Sequence, residues 1–186
     1  MDGTFPLLAN EMALVARAKV EPAAFAAIYD HYYPRIYAYA RYRVRDAALA
    51  EEITAQVFER VLANLGKYEA EQAPFAVWLF TIARNRVSDH HRAQRRRQWL
   101  PIDLVRGRAA PGPAPEEIVV RDETREALLA AVTRLSERER DILALKFGAE
   151  LTNRRIAALT GLSESNVGVI LYRAVRRLRA DLAGQE

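Results

Sequence analysis

The sequence predicts an all-α protein built as two small helical domains joined by a Pro/Gly-rich linker. Three observations carry that prediction. Apolar residues recur at three- and four-residue spacing along nearly the whole chain, with no convincing run of alternating apolar and polar residues. Pro101, Gly107, Pro111, Gly112, Pro113 and Pro115 crowd one segment that cannot continue as helix. The stretch from Thr152 to Leu178 places small, glycine and β-branched residues at the offsets of a helix-turn-helix.

Taken in order, a first short helix is expected over Asn10 to Lys19. A longer one follows from Glu21 to about Arg43, with Pro22 in its first turn, where a missing amide proton costs nothing. A third runs from Asp46 to Leu65, with Leu49, Ile53, Val57, Val61 and Leu65 at four-residue spacing, and Gly66 ends it. Lys67 to Ala73 is a polar connection. Pro74 then opens a fourth helix, which carries Phe75, Trp78, Leu79 and Ile82 into an arginine cluster. Residues 99–121 read as the linker, and Glu116 to Leu135 as helical again. Ser136 and Glu139 form a capping-box pattern that starts a helix reaching Phe147, with Gly148 as its stop. Thr152 to Leu159 and Ser163 to about Leu182 complete the chain. The domains are therefore expected at 1–98 and 122–186.

Composition narrows the function classes. Half of the 186 residues are apolar, as in an ordinary globular protein, and no apolar run approaches the ~20 residues needed to span a bilayer. Met1 to Phe5 lacks the basic start and apolar run of a secretory signal. Without cysteine there are no disulfides and no thiolate metal sites, so a cytoplasmic protein is the expectation. The net charge of +4 is modest, but its distribution is not. Arg84, Arg86, Arg92, Arg95, Arg96 and Arg97 face the single acid Asp89, and Arg173, Arg176, Arg177 and Arg179 cluster near the C-terminus. Two separated basic patches point to two contacts with a polyanion.

The C-terminal patch has a framework. Ala157 is small where two helices would touch, Gly161 supplies the positive φ of a tight turn, and Val167 and Ile170 face back toward the first helix. Ser163 is a good N-cap, and the buried stripe continues through Leu171, Ala174, Leu178 and Leu182. That leaves Glu164, Ser165, Asn166, Val169, Tyr172, Arg173, Arg176 and Arg177 facing outward. In a DNA-bound helix-turn-helix the start of the second helix reads base edges while basic neighbours hold phosphates. Asn166 can bond a base edge and Val169 can pack on a thymine methyl, with Arg154, Arg155, Arg173, Arg176 and Arg177 suited to phosphates.

The N-terminal domain carries three features. Tyr29, Tyr32, Tyr33, Tyr37, Tyr39 and Tyr42 share one helix, where most are expected to be core residues with wet hydroxyls. Glu51, Glu52, Gln56, Glu59 and Arg60 line a polar face of the third helix. The run from Phe75 to Arg86 brings aromatics up against arginines, the combination that stacks bases and tracks the backbone of a single strand.

Both domains, in this order, resemble the extracytoplasmic-function sigma factors of the sigma-70 family. The likeness rests on "AFAAIYDHYYPRIYAYA", "AEEITAQVFERVLANL" and "WLFTIARNRVSDHHRAQRRR" in the N-terminal domain. In the C-terminal domain it rests on "LSERERDILALKFGAELTNRRIAALTGLSESNVGVILYRAVRRLRADL". The resemblance implies a sigma region 2-like domain followed by a sigma region 4-like domain. It implies docking on the clamp helices of RNA polymerase through Glu51, Glu52, Gln56, Phe58, Glu59 and Arg60, with the polymerase flap as a further partner. It also implies capture of the melted −10 strand by Lys67, Tyr68, Trp78, Arg84, Asn85 and Arg92. The −35 duplex would be read by Arg154, Arg155, Ser163, Ser165, Asn166, Val169, Tyr172, Arg173, Arg176 and Arg177. An anti-sigma factor is a further implied partner, and neither cofactor nor metal is called for. Two departures stand out. The family's threonine-valine-basic-serine-arginine run reads Asn166-Val167-Gly168-Val169-Ile170 here, two positive charges fewer, and the polymerase-facing helix has Glu52 and Ala55 where aspartate and glutamine are usual.

Rival classes find less support. His31, His90 and His91 are the only histidines, the adjacent pair is not at the i, i+4 spacing that chelates one metal, and no phosphate-binding glycine loop or nucleophile motif is present. An enzyme is not expected. The alternative that uses the same helix-turn-helix is a transcriptional regulator that is not a polymerase subunit. It would normally bring a ligand pocket or an alternating βα receiver domain, which the N-terminal half does not offer.

Overall fold

Short polar side chains set the helix starts. The computed structural model describes residues 10–44, 46–98 and 131–183. The expected linker at 99–121 lies outside them, as does the helix from Glu116 except for a final helical stretch at 131–134. In the N-terminal domain α1 covers Glu11–Ala18, and a 3-10 turn at Pro22–Ala24 leads into α2, Phe25–Val44. Asp46 caps α3, Ala47–Asn64, by accepting from the Leu49 amide at 2.8 Å. A 3-10 turn at Leu65–Lys67 and the connection to Pro74 then lead to α4, Phe75–Gln98. Gly66 therefore sits within a tightened last turn rather than ending α3 by itself, and the chain leaves through extended Tyr68.

The C-terminal domain contains α5, Glu137–Leu143, a wide π turn at Ala144–Gly148, α6, Asn153–Thr160, and α7, Glu164–Ala183. Ser136 and Glu139 close the full reciprocal capping box. Gly148 ends this helix as the sequence suggests, but through a widened turn in which the Ala149 amide reaches back to the Ala144 carbonyl at 2.9 Å. The described residues contain no strand.

The core runs through both domains. Ile28, Ile36 and Tyr39 of α2, Val57 and Val61 of α3, and Leu79, Phe80 and Val87 of α4 are buried. They form one continuous apolar cluster with Leu145, Ala149, Leu151, Ile156 and Val167 of the C-terminal domain. Full burial of a side chain such as Leu145 stabilises by ~1.5–3 kcal/mol, so apolar contact supplies the docking energy between the domains. Leu135, Leu143 and Ala174 form a second, smaller cluster within the C-terminal domain. Of the tyrosines on α2, Tyr32 and Tyr39 are core and Tyr33 and Tyr37 half-buried, whereas Tyr29 and Tyr42 reach the surface.

Polar groups fix the register of the seam between the domains. Arg35, buried on α2, donates to the Ala149 carbonyl at 2.9 Å, satisfying an acceptor that the end of the π turn leaves open. Tyr39 donates to Asp141 at 2.8 Å, and Arg84 of α4 donates to Asp141 and to the Leu159 carbonyl, both at 2.9 Å. A buried carboxylate is tolerable only with partners of this kind, and stripping them from Asp141 would cost several kcal/mol, about 3–5.

His91 of α4 lines the same seam. Burial first, then Arg43 of α2, with His90 and Arg140 adding, hold its imidazole below the ordinary value, while Glu137 of α5 opposes. His31 is lowered by burial and then Arg35, against Glu11. Both side chains favour the neutral form when folded, so the unfolded chain binds more protons as pH falls through about 6.5. The stability they contribute is present above that pH and lost below it. The thermal midpoint should therefore fall between pH 7 and 5.5, and His91→Gln should flatten part of the slope. Equal slopes in the variant and the parent protein would remove His91 from this account.

Candidate nucleic-acid interface

The turn between α6 and α7 is built as the sequence suggests. Thr152 caps α6 by accepting from the Arg155 amide, Gly161 adopts φ 72°, and Ser163 accepts from the Asn166 amide at 3.2 Å. Val167 is fully buried where the helices cross, and Ile170, Leu171 and Ala157 are half-buried beside it. The outer face of α7 then presents Glu164, Ser165, Asn166, Val169, Tyr172, Arg173 and Arg176, all exposed. Arg154 is exposed on α6 and Arg155 half-buried, while Arg177 leans back to Glu139 at 3.2 Å. Next to this face, Lys146, Phe147, Tyr172 and Arg176 line an open groove of about 450 Å³. Phe147 is 54% exposed there, a surface position that helical spacing alone, which places it only at the end of a helix, does not reveal.

On α4, Trp78, Asn85 and Arg92 stand seven residues apart and so share one stripe. Asn85 and Arg92 are exposed, and with Arg60, Ile82 and Arg86 they line a cleft of about 270 Å³. Trp78 is half-buried, its ring 5.2 Å from Tyr68 and 5.6 Å from Phe75. Lys67 is exposed in the turn ahead of it.

Two sequence-based assignments need correction. Tyr68 is 5% exposed: its hydroxyl donates to the Ala73 carbonyl at 2.9 Å, and its ring lies under Trp78 and Lys19. It supports Trp78 from below and offers no face to a base. Phe58, expected on the polymerase-facing surface, points inward from α3 and packs on Phe25, Tyr29 and Tyr33. A ring at that position repays more by closing the α2–α3 contact than by facing water. Its neighbours Glu51, Glu52, Glu59 and Arg60 are exposed. Gln56 is half-buried between Glu52 at 3.1 Å and Arg86 of α4, which donates to it.

Arg84 departs from the stripe as well. It lies one residue off the Trp78–Asn85–Arg92 line, in a row with Ser88, His91 and Arg95 that faces the C-terminal domain. The sequence alone gives no functional role to Arg43, Glu137 or Asp141, which meet Arg84 and Arg95 at the seam. Glu137 and Asp141, four apart within an arginine-rich "ERERD", were the available signal.

This geometry meets a family match in both halves. Residues 28–97 match the model for sigma-70 region 2 and residues 125–178 that for sigma-70 region 4. Among curated proteins, the chain is 35% identical to the ECF RNA polymerase sigma factor BldN of Streptomyces coelicolor over 91% of its own length and 65% of that protein's. It is 32% identical to the ECF RNA polymerase sigma factor RpoE of Cereibacter sphaeroides, over 88% of each chain. The chain is an extracytoplasmic-function sigma factor. Solved structures agree at the level of the fold. CnrH, bound to the cytosolic domain of CnrY, superposes with TM-score 0.67 at 18% identity, over 94% of this chain and 97% of that one. The sigma factor RpoE of Bartonella quintana, in complex with the anti-sigma factor NepR, gives 0.65 at 21%, over 86% and 96%. No helix among the described residues of this sigma factor is long and apolar enough to cross a membrane.

Proposed function

We propose that this sigma factor brings core RNA polymerase to promoters with two separate DNA contacts of different kinds and performs no catalysis itself. The observation that carries the reading is the division of labour between α4 and α7. The α4 stripe sets a supported tryptophan in line with Asn85 and Arg92, as a single strand requires, while α7 offers an exposed helix-turn-helix face, as duplex requires. Trp78, with Lys67, Asn85 and Arg92, would hold the melted −10 strand. Ser163 to Arg177, with Arg154 and Arg155, would hold the −35 duplex. The exposed Glu51, Glu52, Glu59 and Arg60 would meet the polymerase clamp helices, and the C-terminal domain would meet the flap. An anti-sigma factor would cover these faces when transcription is not wanted, all within the cytoplasm.

Run-off transcription tests this directly: core polymerase with and without the protein on a library of promoter fragments. Protein-dependent transcripts from fragments that share two spaced elements are expected. If polymerase neither binds the protein nor changes its start sites, the reading as a polymerase subunit fails.

Within α7, Arg173→Ala is expected to weaken binding to the upstream duplex and to lower the salt slope by about 0.9, one phosphate contact. Mobility shifts on −35 duplex across a salt series measure this, and an unchanged slope would remove Arg173 from the phosphate set.

A further inference from the structure

At the seam, two carboxylates on one helix are threaded between three arginines of the other domain. Glu137 and Asp141 are four residues apart on α5, so they share a face and are separated by about 6 Å along the axis. Asp141 pairs with Arg84 Nη2 at 2.8 Å and stands 3.8 Å from Arg43 Nε. Glu137 stands 3.6 Å from Arg43 Nη2 and 2.6 Å from Arg95 Nη2. The order across the seam is Arg84, Asp141, Arg43, Glu137, Arg95. Burial works against the ionised form of Glu137, but Arg95 and Arg43 prevail and hold its carboxyl below the ordinary value.

The N-terminal side of this row has a surplus of cations. Arg43, Arg84, Arg92 and Arg95 all line the cleft, and the acid that α4 itself supplies nearby, Asp89, is paired with Arg92 at 3.3 Å. The α5 carboxylates do not saturate the row. Arg43, whose side chain is 6% exposed, keeps its Nε buried without a hydrogen-bond partner among the described residues. Arginine forks bind carboxylate and phosphate oxygens with the same geometry. Two anions spaced by one helical turn are also what successive phosphates of an extended strand present. Arg92 lines both this cleft and the one holding Asn85, so a strand lying along the α4 stripe would run straight into the row.

We propose that Arg43, Arg84 and Arg95 form a two-phosphate site for single-stranded DNA, which Glu137 and Asp141 occupy as phosphate mimics while the domains are docked. The proposal rests on the reading of α4 as the single-strand face and extends it. It adds Arg43, Arg84 and Arg95 to the strand-binding set and gives Arg84 two alternating partners. Docking of the C-terminal domain and binding of the strand to this row then exclude each other.

The test is anisotropy of a short fluorescent oligothymidylate with the full chain over a salt series. E137Q/D141N keeps the side-chain shapes and the acceptor for Tyr39, and should bind roughly tenfold tighter with a salt slope steeper by about 1.4, the value for two phosphates of a single strand. Adding R43Q/R95Q should abolish that gain. The control E21Q/D30N removes the same charge from exposed positions of the N-terminal domain and should show little gain. E137Q alone, on a side chain two-fifths exposed, should give a smaller gain in the same direction even if asparagine at 141 disturbs the fold. No gain, a gain matched by the control, or a gain that survives R43Q/R95Q overturns the proposal. If the parent protein supports run-off transcription but E137Q/D141N shows none of this gain in oligonucleotide binding, the mimicry alone fails. Released oligonucleotide binding by a protein with no effect on polymerase sinks the sigma reading alone.

Discussion

Replacing Trp78 by alanine is expected to reduce open-complex formation roughly 5- to 150-fold, the equivalent of ~1–3 kcal/mol for one stacked base, while −35 duplex binding stays intact. The ring is held in place by its neighbours. Tyr68 lies buried beneath it, tied by its hydroxyl to the Ala73 carbonyl, and Phe75 packs at its side, so the half-buried indole is fixed before any strand arrives. A pre-set ring loses little conformational entropy on binding, which makes its stacking energy available to the melted state. The same packing means that Trp78→Ala also loosens the domain, though by less than the ~3–5 kcal/mol typical of a fully buried tryptophan. Trp78→Phe separates the two effects: it restores a ring to both the stack and the core and should recover most of the opening. Permanganate reactivity of melted thymines at a fixed promoter, read beside thermal midpoints, makes the comparison. Opening that tracks stability alone, or that is unchanged by the alanine, would take Trp78 out of the strand-binding set.

Local features of the fold were legible from the sequence because their causes are local. Asp46, Ser136, Thr152 and Ser163 each cap the helix expected to begin beside them, and Gly161 takes the positive φ its turn needs. What escaped the sequence depends on which surface meets which. Helical period places Phe58 and Gln56 on neighbouring parts of α3, but only the approach of α2 decides that the ring goes inward. Tyr68 reads as a loop tyrosine until Trp78 and Phe75 close over it. The seam was the least legible feature, since Arg35 and Ala149 are 114 residues apart and nothing local to either announces the other. The candidate site divides along the same line. The outer face of α7 follows from one helix and one turn. Arg84 sits one position off the exposed stripe, and its role turns on a partner from the other domain.

Gly148→Val is expected to force the two domains apart without melting either. A Cβ at Gly148 would lie 2.9 Å from the Tyr42 ring and 3.2 Å from both the carbonyl carbon and the oxygen of Ala38. Tyr42 is half exposed and can swing away, but the Ala38 atoms are backbone in the middle of α2, a helix that packs along α3 and cannot give way as a side chain can. Alanine at 148 demands a shift of a few tenths of an ångström. Valine adds two further carbons in the same place, and overpacking of this kind costs ~1–3 kcal/mol or more. The strain falls on the seam because its polar contacts are adjacent: moving the π turn away from α2 pulls the Ala149 carbonyl from Arg35 and Asp141 from Tyr39. The capped helices of each domain have no reason to unravel. The expected result is unchanged helicity by circular dichroism, a radius of gyration several ångströms larger, and faster amide exchange at Leu151, whose N–H is held by the Leu145 carbonyl within the seam. Alanine should fall between valine and the parent. If valine lowers the thermal midpoint while the radius stays fixed, α2 has yielded instead. If the radius grows, Arg84 is released with its partners, and the variant should bind single strands as E137Q/D141N is expected to, through steric separation rather than loss of charge.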